Sequence, residues 1–218
     1  MTDEASEVEA KFVVDVADRL RLTNMQSVGG FSVVSRQSLD QDDLYFDSTH
    51  AGLAAAGSTL RVRRNQKGVF MTFKGQRAEV VASDESHVAS RLEDEVQLES
   101  DYADRVDQNA SLPGDETLSP LRRARDIIGP TELIPTVRLR NERLVINLLD
   151  DDGHHLELAL DRCRATRLSD GRVVEFDEVE LEAKQAERVV LLRLASALRE
   201  YAPSLIPSNL TKLERALT

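Results

Sequence analysis

Apolar and polar residues alternate with a period of two along most of this chain, and the polar side of the alternation is charged. Successive side chains of a strand point to opposite faces, so such runs predict strands. They cover approximately 7–14, 28–38, 43–47, 58–64, 69–75, 90–98, 134–148, 154–161, 164–168 and 173–183. Turn-forming residues separate several of them, at Gly29-Gly30, Gly57, Gln66-Lys67-Gly68, Asp150-Asp151-Asp152-Gly153 and Ser169-Asp170-Gly171. Asp152-Gly153 and Asp170-Gly171 lie between strand-like runs and read as hairpin turns. Helical spacing predicts helices over 15–22, 50–56, 118–128 and 184–201. The third carries Leu121, Ala124, Ile127 and Ile128 on one face and stops at Gly129-Pro130. In the fourth, Val189, Leu192, Ala195, Leu198 and Tyr201 form an apolar stripe. The stretches 76–90 and 108–117 are polar, lack a clear period and read as loops. With no repeat and no linker, residues 1–218 read as a single domain of α+β class, predominantly β, with a largely antiparallel sheet.

Five segments share one design, an ionic face opposite an apolar one. Glu7, Glu9 and Lys11 oppose Val8, Ala10 and Phe12; Arg61 and Arg63 oppose Leu60 and Val62; Thr72 and Lys74 oppose Met71 and Phe73. Arg91, Glu93, Glu95 and Gln97 oppose Leu92, Val96 and Leu98, with Asp94 the exception, and Glu178, Glu180 and Glu182 oppose Val179, Leu181 and Ala183. Two architectures fit this pattern. The ionic faces lie in water as cross-strand salt bridges, or they line an interior while the helical stripes cover the apolar faces from outside. Periodicity alone leaves both open.

Composition narrows the partners. A formal net charge of −11 argues against a nucleic-acid binder, because a polyanion requires clustered cations. No apolar run approaches the roughly 18 residues of a membrane span, and the acidic start Met1-Thr2-Asp3-Glu4 is unlike a signal peptide, so a cytoplasmic protein with no membrane partner is expected. The single Cys163 excludes an intramolecular disulfide and a multi-cysteine zinc site. The four histidines, His50, His87, His154 and His155, fall in predicted turns without zinc spacing and read as solvated. Clustered glutamates suit hard ions such as Mg²⁺ or Mn²⁺, and clustered Arg and Lys suit phosphate. Together they describe a polyphosphate–metal site of the kind phosphoryl transfer uses.

These motifs also occur in a familiar order. Glu7-Val8-Glu9-Ala10-Lys11 fits the pattern E-x-E-x-K, followed by Tyr45-Phe46-Asp47, Leu60-Arg61-Val62-Arg63, Thr72-Phe73-Lys74-Gly75 and Arg91-x-Glu93. Arg140 and Arg143, Leu158-Ala159-Leu160-Asp161, Glu178-Val179-Glu180 and Leu210-Thr211-Lys212-Leu213-Glu214-Arg215 complete the series. Over about residues 5–217 the chain resembles the CYTH superfamily, the triphosphate tunnel metalloenzymes, and among them the bacterial inorganic triphosphatases. The resemblance implies an eight-stranded antiparallel β-barrel enclosing a charged tunnel, with helices packed outside. It implies triphosphate contacts from Lys11, Arg61, Arg63, Lys74, Arg91, Arg140, Arg143 and Lys212, with Arg138 replacing or joining Arg140 if a bulge changes the register. It implies a divalent metal, Mg²⁺ or Mn²⁺, on Glu7, Glu9, Glu178 and Glu180. Glu182 shares their parity, and with Glu93 and Asp161 it would serve a second metal or the attacking water. Lys11, Lys74, Glu93 and Asp161 are the expected catalytic residues.

The expected activity is metal-dependent hydrolysis of inorganic triphosphate to pyrophosphate and phosphate. The partner would be a small triphosphate-containing anion, and a homodimer is compatible with this reading. Adenylate cyclase, thiamine triphosphatase and nucleoside triphosphatase chemistry are the alternatives within the superfamily. They are poorly supplied with stacking surface, since aromatics make up 4% of the chain and Trp is absent. A non-catalytic polyphosphate-binding module, or a barrel that serves as a protein-interaction module, is the alternative of a different class.

Overall fold

The computed structural model describes residues 6–83, 86–109, 112 and 117–218. The elements in chain order are β1 (Ser6–Val13), α1 (Val16–Asn24), β2 (Ser27–Val28), β3 (Phe31–Ser48), α2 (Gly52–Ala55), β4 (Thr59–Asn65) and β5 (Gly68–Lys74). They continue with β6 (Ala78–Ser83), β7 (Ser86–Gln97), α3 (Ser100–Asn109), α4 (Ser119–Ile128), β8 (Leu133–Leu149) and β9 (His155–Arg167). The last are β10 (Val173–Gln185), α5 (Arg188–Tyr201), β11 (Ile206–Pro207) and α6 (Lys212–Leu217). Eight strands pair in the order β1-β10-β9-β8-β3-β4-β5-β7, and β7 returns to β1. The closing pair is antiparallel, with Glu7 opposite Arg91 and Ala10 opposite Val88. All eight junctions of this closed ring are antiparallel.

Parity decides what the ring encloses. The apolar faces of β1, β9 and β10 point outward, where Phe12, Leu158, Leu160, Val179 and Leu181 pack against Leu22 of α1 and Leu191, Leu194 and Leu198 of α5. On the other side Leu60, Val62, Met71 and Phe73 of β4 and β5 pack beneath Tyr102 and Val106 of α3 and Leu121 and Ala124 of α4. Fully burying one such side chain contributes roughly 1.5–3 kcal/mol, so the helices, not the ring interior, supply most of the apolar core. The ionic faces therefore point inward, the second of the two architectures the pattern allowed.

One end of the ring keeps the ordinary arrangement. There Tyr45, Val137, Leu139, Cys163 and Ala165 face inward and pack on Leu213 and Ala216 of α6, which fills that end. The outward positions beside them are charged: Arg138 bonds Asp42, and Arg164 pairs with Glu175.

Several elements differ from the sequence expectation. The runs 28–38 and 43–47 are joined in the single long strand β3, because the polar stretch between them keeps its parity: Gln41 and Asp43 are buried inward, while Asp40 is exposed and Asp42 half-buried on the outer face. The expected loop at 76–90 contains β6 and the start of β7, whose small residues give no strong alternation. The expected loop at 108–117 lies mostly outside the described residues. On α5 the buried face is Val190, Leu191, Leu194, Ala195 and Leu198, while Val189 is 64% exposed. A strict spacing of three drifts around a helix of 3.6 residues per turn, so the stripe read from Val189 could not stay on one face.

Candidate active site

The inward faces of the ring surround a cavity of about 280 Å³. Its lining includes eight cations, Lys11, Arg61, Arg63, Lys74, Arg91, Arg143, Lys184 and Lys212, and five carboxylates, Glu93, Glu95, Glu157, Glu180 and Glu182. Exposure grades from one end to the other. The side chains of Lys184 and Glu93 are 35% and 24% exposed, whereas those of Asp161 and Glu178, toward α6, are at 0%.

At the deep end one ammonium organises three carboxylates. Lys212 Nζ lies 2.9 Å from Asp161 Oδ2, 2.8 Å from Glu178 Oε1 and 2.6 Å from Glu180 Oε1. Its position follows from a capping box at the start of α6. The Thr211 hydroxyl accepts from the Glu214 backbone N–H at 3.1 Å, and the Glu214 carboxylate accepts from the Thr211 N–H at 2.6 Å. This makes Lys212 the first helical residue. Arg143 donates twice to Asp161, at 2.7 Å each, and also contacts Glu180. Lys11 contacts Glu180 and lies 3.2 Å from Glu9, and Arg215 Nε lies 3.1 Å from Glu178.

These contacts set the protonation states. Burial disfavours the charged form of Lys212, but Asp161, Glu178 and Glu180 hold it well above its ordinary value. Glu180 is pushed upward by burial, yet Lys11, Lys212 and Arg143 keep it well below the usual carboxylate range. Asp161 is likewise lowered, by Arg143 and Lys212 against its burial. Glu178 is the exception: burial raises it, and Lys212 and Lys11 do not fully offset that.

Nearer the opening, Lys74 lies 3.3 Å from Glu93, the Thr72 hydroxyl donates to Glu95 at 2.8 Å, and Lys184 lies 2.6 Å from Glu182. Along β4, Arg63 makes a two-bond pair with Asp43 of β3, and Arg61 reaches the same carboxylate at 3.4 Å.

The structure thus brings Lys11, Arg61, Arg63, Lys74, Arg91, Glu93, Arg143, Glu180, Glu182 and Lys212 to one cavity, with Glu9, Asp161 and Glu178 in direct contact with its cations. Glu7 lies on β1, and its side chain is outside the described residues. Arg138 and Arg140 are not brought in. Both are exposed on the outer face, and Arg138 Nε donates to Asp42 at 2.9 Å. Residues 138–143 pair without interruption on both sides, so no bulge changes the register. Arg140 and Arg143 differ by three positions and cannot share a strand face. Replacing Arg138 or Arg140 with alanine should therefore leave turnover unchanged and shift stability by less than about 0.5 kcal/mol in a denaturant titration.

Asp43, Glu157 and Lys184 were not singled out from the sequence, and Arg215 stood there only as part of the terminal motif, with no role assigned. Parity could have found three of them, since Asp43 lies two before Tyr45, Glu157 four before Asp161, and Lys184 two after Glu182. Arg215 lies against Glu178 because α6 enters the ring, which no strand pattern foretells.

The carboxylates suit a hard divalent cation. Oxygens of Asp161, Glu178 and Glu180 lie within 4.8 Å of one another, and Glu9 is the direct cross-strand neighbour of Glu182. Glu9 Oε1 lies 3.3 Å from Arg91 and Glu178 Oε2 3.1 Å from Arg215, ion pairs that lack hydrogen-bond geometry, so a cation held there would share these carboxylates with the arginines.

A closed antiparallel ring with an ionic interior and externally packed helices is an inverted barrel, charged inside and apolar outside. Residues 5–217 match the CYTH domain, and the chain belongs to that family. Curated proteins give no significant sequence match. Among solved structures, a Hippeastrum protein assigned as an adenylyl cyclase and described as having a dominant triphosphatase activity is 24% identical, with a TM-score of 0.70 over 97% of this chain and 95% of that one. A Bacillus halodurans protein assigned as an adenylate cyclase is 20% identical, with a TM-score of 0.62 over 97% of each chain. The Mimivirus capping-enzyme triphosphatase is 11% identical, with a TM-score of 0.52 over 88% of this chain and 86% of that one. At these identities the likeness is one of fold.

Proposed function

We propose that this chain is a divalent-metal-dependent triphosphatase that hydrolyses inorganic triphosphate to pyrophosphate and phosphate. The observation that carries this reading is the convergence of eight cations and five carboxylates on one cavity whose lining, among the described residues, has a single aromatic, Tyr45. Such a lining suits a linear polyanion and offers little stacking surface for a base or thiazolium ring. The family and the triphosphatase activities described for two neighbours of similar fold support the same chemistry.

In this reading Lys11, Arg61, Arg63, Lys74, Arg91, Arg143 and Lys212 hold phosphate oxygens and offset the charge that develops on them during transfer. Glu9, Glu178, Glu180 and Glu182 would hold Mg²⁺ or Mn²⁺, which supplies Lewis-acid stabilisation of the phosphoryl oxygens. Asp161 orients Arg143 and Lys212, for its carboxylate is fully buried and engaged by both. Glu93, beside Lys74 and facing the cavity, orients water for attack on a terminal phosphorus. The oxygen bridge to that phosphorus breaks, and pyrophosphate leaves.

Incubating the purified chain with tripolyphosphate, ATP or thiamine triphosphate, each with Mg²⁺ or Mn²⁺, tests the assignment. Phosphate release should be fastest from tripolyphosphate and should cease in chelator. Cyclic AMP from ATP would move the chain to cyclase chemistry, faster release from thiamine triphosphate or ATP would change the substrate, and tight binding without turnover would make it a polyphosphate-binding module.

A further inference from the structure

We infer that Asp43 is a positioning residue for the arginine wall of the cavity, fixing the guanidinium planes of Arg63 and Arg61 so that their free edges meet phosphate. The inference rests on reading the cavity as a triphosphate site. Asp43 is fully buried on β3 and is absent from the cavity lining. The strand register sets it opposite Arg63, with Tyr45 opposite Arg61 two pairs further on, on the same face. Its Oδ1 accepts from Arg63 Nε and its Oδ2 from Arg63 Nη2, each at 2.7 Å, while Arg61 Nη1 approaches Oδ2 at 3.4 Å. Both bonds to Arg63 use Nε and Nη2, so the Nη1 edge is left to the cavity. Two contacts in one plane fix the orientation of the fork as well as its distance.

Two accounts of this carboxylate make opposite predictions. If charge were its only contribution, Asp43 would oppose a polyanionic ligand, and removing it would tighten binding. If it orients two guanidiniums that would otherwise repel each other in a buried wall, removing it releases both from the geometry that meets phosphate. Small misplacements of groups that position a substrate are enough to cost on the order of 10²-fold in rate.

The test compares Asp43→Asn and Asp43→Glu with the unaltered chain, reading kcat and KM for tripolyphosphate and, separately, tripolyphosphate binding by calorimetry without turnover in chelator. Asp43→Asn should bind tripolyphosphate more weakly and lower kcat about 10²-fold. Asp43→Glu, which restores the charge on a longer stem, should recover binding more than kcat. Equal or tighter binding by Asp43→Asn with kcat unchanged would overturn the inference. If Asp43→Asn fails to fold, Asp43→Glu decides: a reduced kcat supports positioning, and an unchanged kcat overturns it. If the unaltered chain binds tripolyphosphate without hydrolysing it, the triphosphatase reading fails, while weaker binding by Asp43→Asn still supports the inference. A chain that does not bind tripolyphosphate at all overturns both.

Discussion

Replacing Lys212 with methionine should make the chain markedly easier to unfold and abolish its turnover. The ammonium is within 2.9 Å of Asp161, Glu178 and Glu180, and two of those three side chains are fully buried. Breaking a buried ion pair by removing one partner costs about 3–5 kcal/mol, because the remaining charge is left uncompensated. Arg143, Lys11 and Arg215 still touch the carboxylates, which keeps the expected loss toward the lower end of that range. A denaturant titration at constant slope measures it. Mn²⁺ should raise the midpoint of the variant more than that of the unaltered chain, because the three carboxylates lack their ammonium. A midpoint equal to that of the unaltered chain would mean that Lys212 is not the counter-charge of this group.

Replacing Lys74 with alanine should have the opposite profile, a large loss of rate at nearly constant stability. Lys74 faces the cavity and pairs at 3.3 Å with Glu93, which is partly solvated. Partly exposed pairs of this kind contribute about 1 kcal/mol or less to folding. A preorganised cation aimed at charge that develops in the transition state is worth far more, on the order of 10²–10³ in kcat when one such group is removed. Steady-state kinetics on tripolyphosphate, alongside a melting curve, separates the two quantities. An unchanged kcat would remove Lys74 from the machinery.

Much of the arrangement was legible because a strand has only two faces. Once Lys11, Arg61, Lys74 and Glu180 are placed on one side, their neighbours at even spacing follow, and so does the apolar exterior that the helices cover. What periodicity could not decide is which face turns inward. A charged face toward water and a charged face toward a closed interior have the same spacing. Helices with apolar stripes hinted at an inverted ring, and the order of motifs resembling the CYTH superfamily supplied the rest. Arg138 and Arg140 went astray for a related reason. They carry the right charge, but Arg143 fixes the inward parity of β8, and a run of unbroken pairing leaves them outside. Contacts made by α6 were the least legible, because six residues hold too short a pattern to reveal where a helix lodges.

The lodging of α6 also sets the order of traffic. Its apolar side, Leu213 and Ala216, stoppers the deep end of the ring, and among the described residues exposure rises toward Lys184 and Glu93. The ring is a vessel with a floor. On the proposed reading a chain-like anion would arrive end-first and depart backwards, so if it is cut inside, the piece nearer the rim would leave before the piece lodged on the floor. The innermost piece, held by Lys212, Lys11 and Arg143, would be the last out and the one that delays the next arrival.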